Sequence, residues 1–114
     1  MNKRLKKYYS IEMLKATTAL TNKDFDLAFE HFERAHILSQ NDTLLHTSTH
    51  WWMCKTALKK KDVVEVFAQS FRIVGALLMS KIWVPKGNTG RGNVSAFKEM
   101  PIPDDLNKIL AKYG

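Results

Sequence analysis

Apolar residues recur at spacings of three and four along most of this chain, and its first 84 residues contain no proline. That period marks helices with one buried face. Ser10 has the character of an N-cap for a first helix with Ile11, Leu14, Thr18 and Leu20 on its stripe. The basic residues 1–8 before it read as a frayed end. The turn residues TNKD (21–24) lead to a second helix, on which Phe25, Ala28, Phe29, Phe32, Ala35 and His36 form one amphipathic stripe ending near SQND (39–42). A third helix over about 43–60 offers two neighbouring stripes, one of Leu44, Ser48, Trp51 and Leu58, the other of His46, His50, Met53 and Ala57. Asp62 and Glu65 have the capping-box spacing, with Asp in place of Ser or Thr. They open a fourth helix carrying Val66, Phe67, Ser70, Ile73, Val74, Leu77 and Leu78.

After Ile82 the pattern breaks. WVPKGNTGRGNVSAFKEMPIP (83–103) holds all three prolines and three closely spaced glycines, so it cannot continue as a regular helix. Asp104 then caps a short helix with Leu106, Ile109 and Leu110. The expected fold is all-α: a four-helix core of antiparallel helix pairs, an irregular Gly/Pro-containing segment (83–103) and a short C-terminal helix. With 114 residues, the chain reads as one domain over 1–114 that buries roughly 65% of its unfolded surface.

The net charge of +7 is unevenly placed. Asp24, Asp26, Glu30, Glu33 and Asp42 against Lys23 and Arg34 give residues 22–42 a balance of −3, leaving +10 elsewhere. Lys3, Arg4, Lys6 and Lys7 form one positive cluster and Lys59, Lys60 and Lys61 another, the latter where cations suit a helix C-terminus. No zinc-finger spacing, RNA-binding aromatic motif or recognition helix accompanies them, so the expectation is no nucleic-acid partner. The N-terminus lacks the apolar run of a secretory signal, and no stretch reaches the roughly 20 apolar residues that span a bilayer. A single cysteine fits a reducing compartment, so the expected location is cytoplasmic, with no membrane partner.

The stretch NKDFDLAFEHFERAHILSQND (22–42) resembles the second half of a tetratricopeptide repeat, with Asp24 and Phe25 at the turn and Ala28, Phe32 and Ala35 at its small-large-small positions. The first half departs, because Glu12, Lys15 and Ala16 stand where Trp, Leu and Gly are wanted. A weaker echo at DVVEV (62–66) has Val66 in place of a small residue. A solenoid needs about three repeats, so this resemblance implies helix-pair packing and, at most, a protein-protein interaction module. RAHILSQ (34–40), HTSTHWWM (46–53), FAQSFR (67–72), VPKGNTGRGNVSAF (84–97) and MPIPDDL (100–106) together resemble a family of short uncharacterised bacterial proteins, the domain of unknown function numbered 3703. That resemblance covers roughly residues 25–110. It implies no activity, only that the glycine segment and the histidine-bearing helices belong to one architecture.

HTSTHWWMCK (46–55) carries the candidate chemistry. His46 and His50 share a helix face about 6 Å apart along the axis, and Glu33 and His36 share one on the preceding helix. In an antiparallel hairpin about Asn41, residues whose numbers sum to about 82 face each other. His36 then meets His46, and His50 meets Phe32 or Glu33. Glu33, His36, His46 and His50 thus form a candidate set for zinc, iron, copper, haem or a small ligand. Met53 and Cys54 are weaker soft-metal candidates, since both residue types commonly fill cores. Of Trp51 and Trp52, adjacent on a helix, one must pack inward and the other outward. An outward tryptophan, with Trp83, would suit a homodimer or protein partner. His31, off the Phe stripe, is expected to be exposed.

PKGNTGRGN (85–93) invites a phosphate-loop reading through Lys86 or Arg91. However, it matches neither G-x-x-x-x-G-K-[ST] nor G-x-G-x-x-G, and no strand precedes it. The plainer expectation is a segment that seals the open end of the bundle. A lid over a polar pocket rimmed by Gln69, Arg72, Asn88 and Thr89 is the other. No Ser/His/Asp order or convincing carboxylate pair supports an enzyme. The reading therefore leans to a small metal- or ligand-binding helical protein, with a partner-binding module that performs no chemistry as the alternative.

Overall fold

The computed structural model describes residues 1–79, 84–93, 95 and 98–114, and Trp83 with its expected role lies outside them. Five α-helices follow in order: α1 (Lys3–Thr21), α2 (Phe25–Ser39), α3 (Thr43–Lys60), α4 (Val63–Met79) and α5 (Asp104–Tyr113). The all-α expectation holds. α1 packs against α2, α3 against α4, and α2 joins the two pairs, while α5 closes on α1 and α2. Among the described residues no helix is long and apolar enough to cross a membrane.

Short polar side chains set the turns. The Asp24 carboxylate accepts from Leu27 N–H, Asp42 from Leu45 N–H and Asp62 from Glu65 N–H, each satisfying a donor that a helix start leaves unpaired. Glu65, the expected return partner of Asp62, turns inward instead, so only half the capping box forms. Lys61 ends α3 in the left-handed region at φ 64°.

Expectations for three of the helices need correction. α1 does not start at Ser10 but at Lys3, where Asn2 Oδ1 accepts from Arg4 and Leu5 N–H. Residues 3–8 are therefore part of the helix, and Leu5 is buried. The inner face of α1 is Leu5, Tyr9, Glu12, Ala16, Ala19 and Leu20, whereas Ile11 and Leu14 are exposed. An inner face made of small and hydrogen-bonded residues misdirects a count of apolar side chains. Likewise, α4 buries Glu65, Gln69 and Ala76 and leaves Phe67, Val74, Leu77 and Leu78 exposed. Pro103, not Asp104, occupies the N-cap of α5.

α2 turns its Phe/Ala stripe inward as expected, and of the two stripes of α3 it is the second, His46, His50, Met53 and Ala57, that is buried. The larger core joins Ala16, Ala19 and Leu20 to Ala28, Phe29, Phe32, Met53 and Ala57. A smaller one joins Leu5, Ile37, Leu38 and Leu106. Trp52 stacks on Phe32 at 6.1 Å while Trp51 points outward, as adjacent helical positions require. His31 is not fully exposed: its Nδ1 lies 2.7 Å from the buried Glu12 carboxylate, which also accepts from Arg34. Arg34 in turn ties down Asp105 of α5.

Candidate metal centre

α2 and α3 bring His36, His46 and His50 together as one buried cluster. Their Nε2 atoms form a nearly equilateral triangle: 2.9 Å from His46 to His36, 3.1 Å from His36 to His50 and 3.1 Å from His50 to His46. The pairing of His36 with His46 follows the antiparallel register. His50 pairs about one turn further along α2 than expected, meeting His36 rather than Phe32 or Glu33. Each ring is at most 6% exposed.

The far side of two rings is fixed. His36 Nδ1 lies 2.8 Å from the Asn88 carbonyl oxygen, which can only accept, so this nitrogen carries the proton. His50 Nδ1 lies 2.7 Å from Gln69 Oε1. The Gln69 amide cannot be turned round, because its nitrogen donates to the Glu65 carboxylate at 2.8 Å and the Gly90 carbonyl at 2.7 Å. His50 Nδ1 is therefore also protonated. Both Nε2 atoms then present lone pairs to each other across 3.1 Å. His46 has one proton to offer, and its Nδ1 is buried without a hydrogen-bond partner among the described residues. Whichever nitrogen of His46 holds that proton, the lone pairs of His36 and His50 still oppose one another.

Protonating a ring is disfavoured. Burial, then the neighbouring His50 and His46, hold His36 well below the ordinary imidazole value. Burial lowers His46 to about 4, and burial, followed by His46, lowers His50 to about 3. The cluster is thus three neutral imidazoles at neutral pH, the state in which histidine coordinates metals.

The glycine segment closes over this cluster. A Cβ on Gly90, whose φ is +83°, would lie 2.9 Å from His36 Cδ2, and one on Gly92 would lie 2.8 Å from the Ala68 Cβ. At Gly90, where φ is positive, only glycine allows the backbone to lie this close. Asn88 holds the loop by donating to the Ser95 and Lys98 carbonyls and accepting from Gly90 N–H. Gln40, at the end of α2, clamps it by donating to the Pro85 carbonyl and accepting from Gly87 N–H. Arg72 donates to the Gly90 and Arg91 carbonyls.

Other sequence candidates lie elsewhere. Glu33 does not join the histidines: Arg91 reaches it at 3.3 Å and Glu65 at 2.7 Å, with its guanidinium 3.8 Å over the Phe29 ring. Burial raises the Glu33 carboxyl, and Arg91 opposes that shift. Met53 is wholly buried in the larger core, and Cys54 Sγ faces the Val66 carbonyl and Ser70 hydroxyl of α4 at 4.0 and 3.9 Å. Gln69 and Asn88 are 0% and 2% exposed with their polar atoms bonded, so they support the cluster. Among the described residues Thr89 makes a local contact, accepting from Arg91 N–H. The phosphate-loop reading fails for the same reason: the N–H groups of Gly87, Gly90 and Gly92 are taken by Gln40, Asn88 and Glu65, and Arg91 is turned inward. Glu65 and Gln40 were not among the sequence candidates. Glu65 and Gln69, polar at i and i+4 on an apolar helix, were the available signal.

The model of a family described as "Protein of unknown function (DUF3703)" matches residues 3–110. No curated protein and no solved structure matches the chain.

Proposed function

We propose that this chain, which belongs to the DUF3703 family, binds a transition-metal ion through Nε2 of His36, His46 and His50. The observation that carries the reading is the pair of opposed lone pairs on His36 and His50 inside a buried triangle of nitrogens. Burying unsatisfied polar atoms is costly, and a cation at the apex of the triangle would satisfy all three at once. Nitrogens bound to one ion at about 2.1 Å stand roughly 3.0 Å apart on one face of an octahedron and about 3.4 Å apart in a tetrahedron. The spacings of 2.9–3.1 Å accommodate either with little movement, leaving one or more positions for water or a small anion.

The surroundings support an ion over haem. Two imidazoles on opposite faces of a haem iron would stand about 4 Å apart, twice a bond of about 2 Å, with a macrocycle between them. Here the coordinating nitrogens themselves stand only 2.9–3.1 Å apart, with the His36 and His46 rings T-shaped to one another. The Nδ1–H bonds to the Asn88 carbonyl and to Gln69, the latter backed by Glu65, are the outer contacts that orient metal-binding imidazoles. Three neutral nitrogens suit zinc, iron(II), cobalt or copper(II) rather than a hard ion such as calcium.

Zinc titrated calorimetrically into chelator-treated, tag-free protein at pH 7.5 tests this. The expected result is one ion per chain, at least 100-fold weaker binding in His50→Ala, and unchanged binding in Cys54→Ala. Equal affinity in parent and His50→Ala would overturn it.

A further inference from the structure

α4 is half buried in an unusual sense: the side it turns inward is polar and the side it turns outward is apolar. Glu65, Gln69 and Ala76 are buried, whereas Val64 is 77% exposed, Phe67 71%, Phe71 68%, Val74 57% and Leu78 70%. These five positions step by three, four, three and four residues, the a/d pattern of a coiled-coil seam, and they fall within an arc of about 80°. A soluble helix does not ordinarily turn such a stripe to water.

We infer that this seam of α4 is a homodimer interface, in which α4 of one chain packs against α4 of a second copy. Three features favour a second copy. The first is area. With the bordering Val63 and Leu77, the stripe exposes on the order of 800 Å², the share each partner contributes to a standard-size interface. The second is charge. The protein carries +7, yet the only charged residues of α4, Glu65 and Arg72, point to the glycine segment, where Arg91 and the Gly90 carbonyl engage them. The seam and its flanks, Ala68, Ser70, Gly75 and Leu77, hold no charge, so like-charged chains meet without repulsion at the contact. The third is shape. Gly75 flanks the seam between Phe71 and Leu78, and a Cβ there would meet nothing within 4 Å. It leaves a notch beside large knobs, so a two-fold axis near the middle of α4 would set the Phe71 of each copy against the notch of the other.

The inference stands apart from the metal site, since these side chains are exposed whereas the α4 residues that serve the histidines, Glu65 and Gln69, are buried. Light scattering of the full tag-free chain at about 50 µM, with the metal-free protein in parallel, tests it. The expected mass is twice 13.1 kDa for the parent and 13.1 kDa for Phe71→Lys, with helical circular dichroism unchanged by this exposed substitution. Oxidative cross-linking of Phe71→Cys provides the second measurement should Phe71→Lys lose its helical signal. A covalent dimer is expected there and not in the parent, whose Cys54 is buried. A monomeric parent would overturn the inference. So would a dimer that survives Phe71→Lys without cross-linking at position 71, or a monomer that uses this face to bind neutral phosphatidylcholine vesicles.

Discussion

A neutral imidazole has two nitrogens to satisfy and one proton with which to do it, and three of them facing inward cannot all be satisfied by one another. That shortage of protons makes this cluster look like a ligand set. It depends on Gln69, whose fixed amide holds the proton on His50 Nδ1. Replacing Gln69 with Leu should leave that N–H without its partner and take one donor each from the Glu65 carboxylate, which keeps Arg91 and Gly92 N–H, and the Gly90 carbonyl, which keeps Arg72. Zinc affinity is expected to fall about 10–100-fold, and the metal-free protein should lose about 1–3 kcal/mol of stability. Titration and thermal melts of Gln69→Leu check both, and an unchanged zinc affinity would remove Gln69 from the account. The three histidines were legible because helical spacing and antiparallel register are local rules. The misplacement of Glu33 was not, because its partner Arg91 lies 58 residues further on and competes for the carboxylate.

Among the elements, α2 read most directly, since its Phe/Ala stripe is both apolar and buried. α1 and α4 misled for a shared physical reason. Each fills part of its inner face with polar groups whose partners come from elsewhere in the chain: Glu12 with His31 and Arg34, Glu65 with Arg91 and Gly92, Gln69 with His50 and Gly90. Periodicity records hydrophobicity and cannot see such pairs. The glycine segment was legible as irregular, but its register on the histidines was not. Gly90 is where that register is tightest. The ring it touches is held by the Asn88 carbonyl and two other histidines, so it cannot give way to a new Cβ 2.9 Å from Cδ2. Gly90→Ala is expected to cost about 1–3 kcal/mol and to weaken zinc binding by displacing His36. A melt indistinguishable from that of the parent would contradict the packing described for this loop.

For the whole molecule, the uneven charge seen in the sequence is partly repaired by folding. The acidic stretch 22–42 receives Arg91 on Glu33 and Lys60 on Asp26, and Asp24 and Asp42 are spent as helix caps. The histidine cluster also gives stability a direction with pH. The rings titrate near 6.5 when the chain is unfolded but stay neutral to about 4 at His46 and about 3 at His50 when it is folded. Below pH 6.5 the unfolded chain therefore binds protons that the folded chain refuses, and stability falls as pH falls through that window, by up to about 1.4 kcal/mol per histidine per unit. Metal-free protein should melt progressively lower between pH 7 and pH 5, and a variant with all three histidines changed to Asn should show a flatter profile. Equal slopes in the two would place the acid sensitivity elsewhere.

In the proposed site three imidazole nitrogens, and no sulfur, hold the ion. X-ray absorption fine structure of the zinc-loaded, tag-free protein reads that shell directly. The account predicts three histidine nitrogens with one or more light scatterers at about 2.0–2.1 Å. A sulfur shell at about 2.3 Å, which would bring in Cys54, or a spectrum of hydrated zinc alone would contradict it.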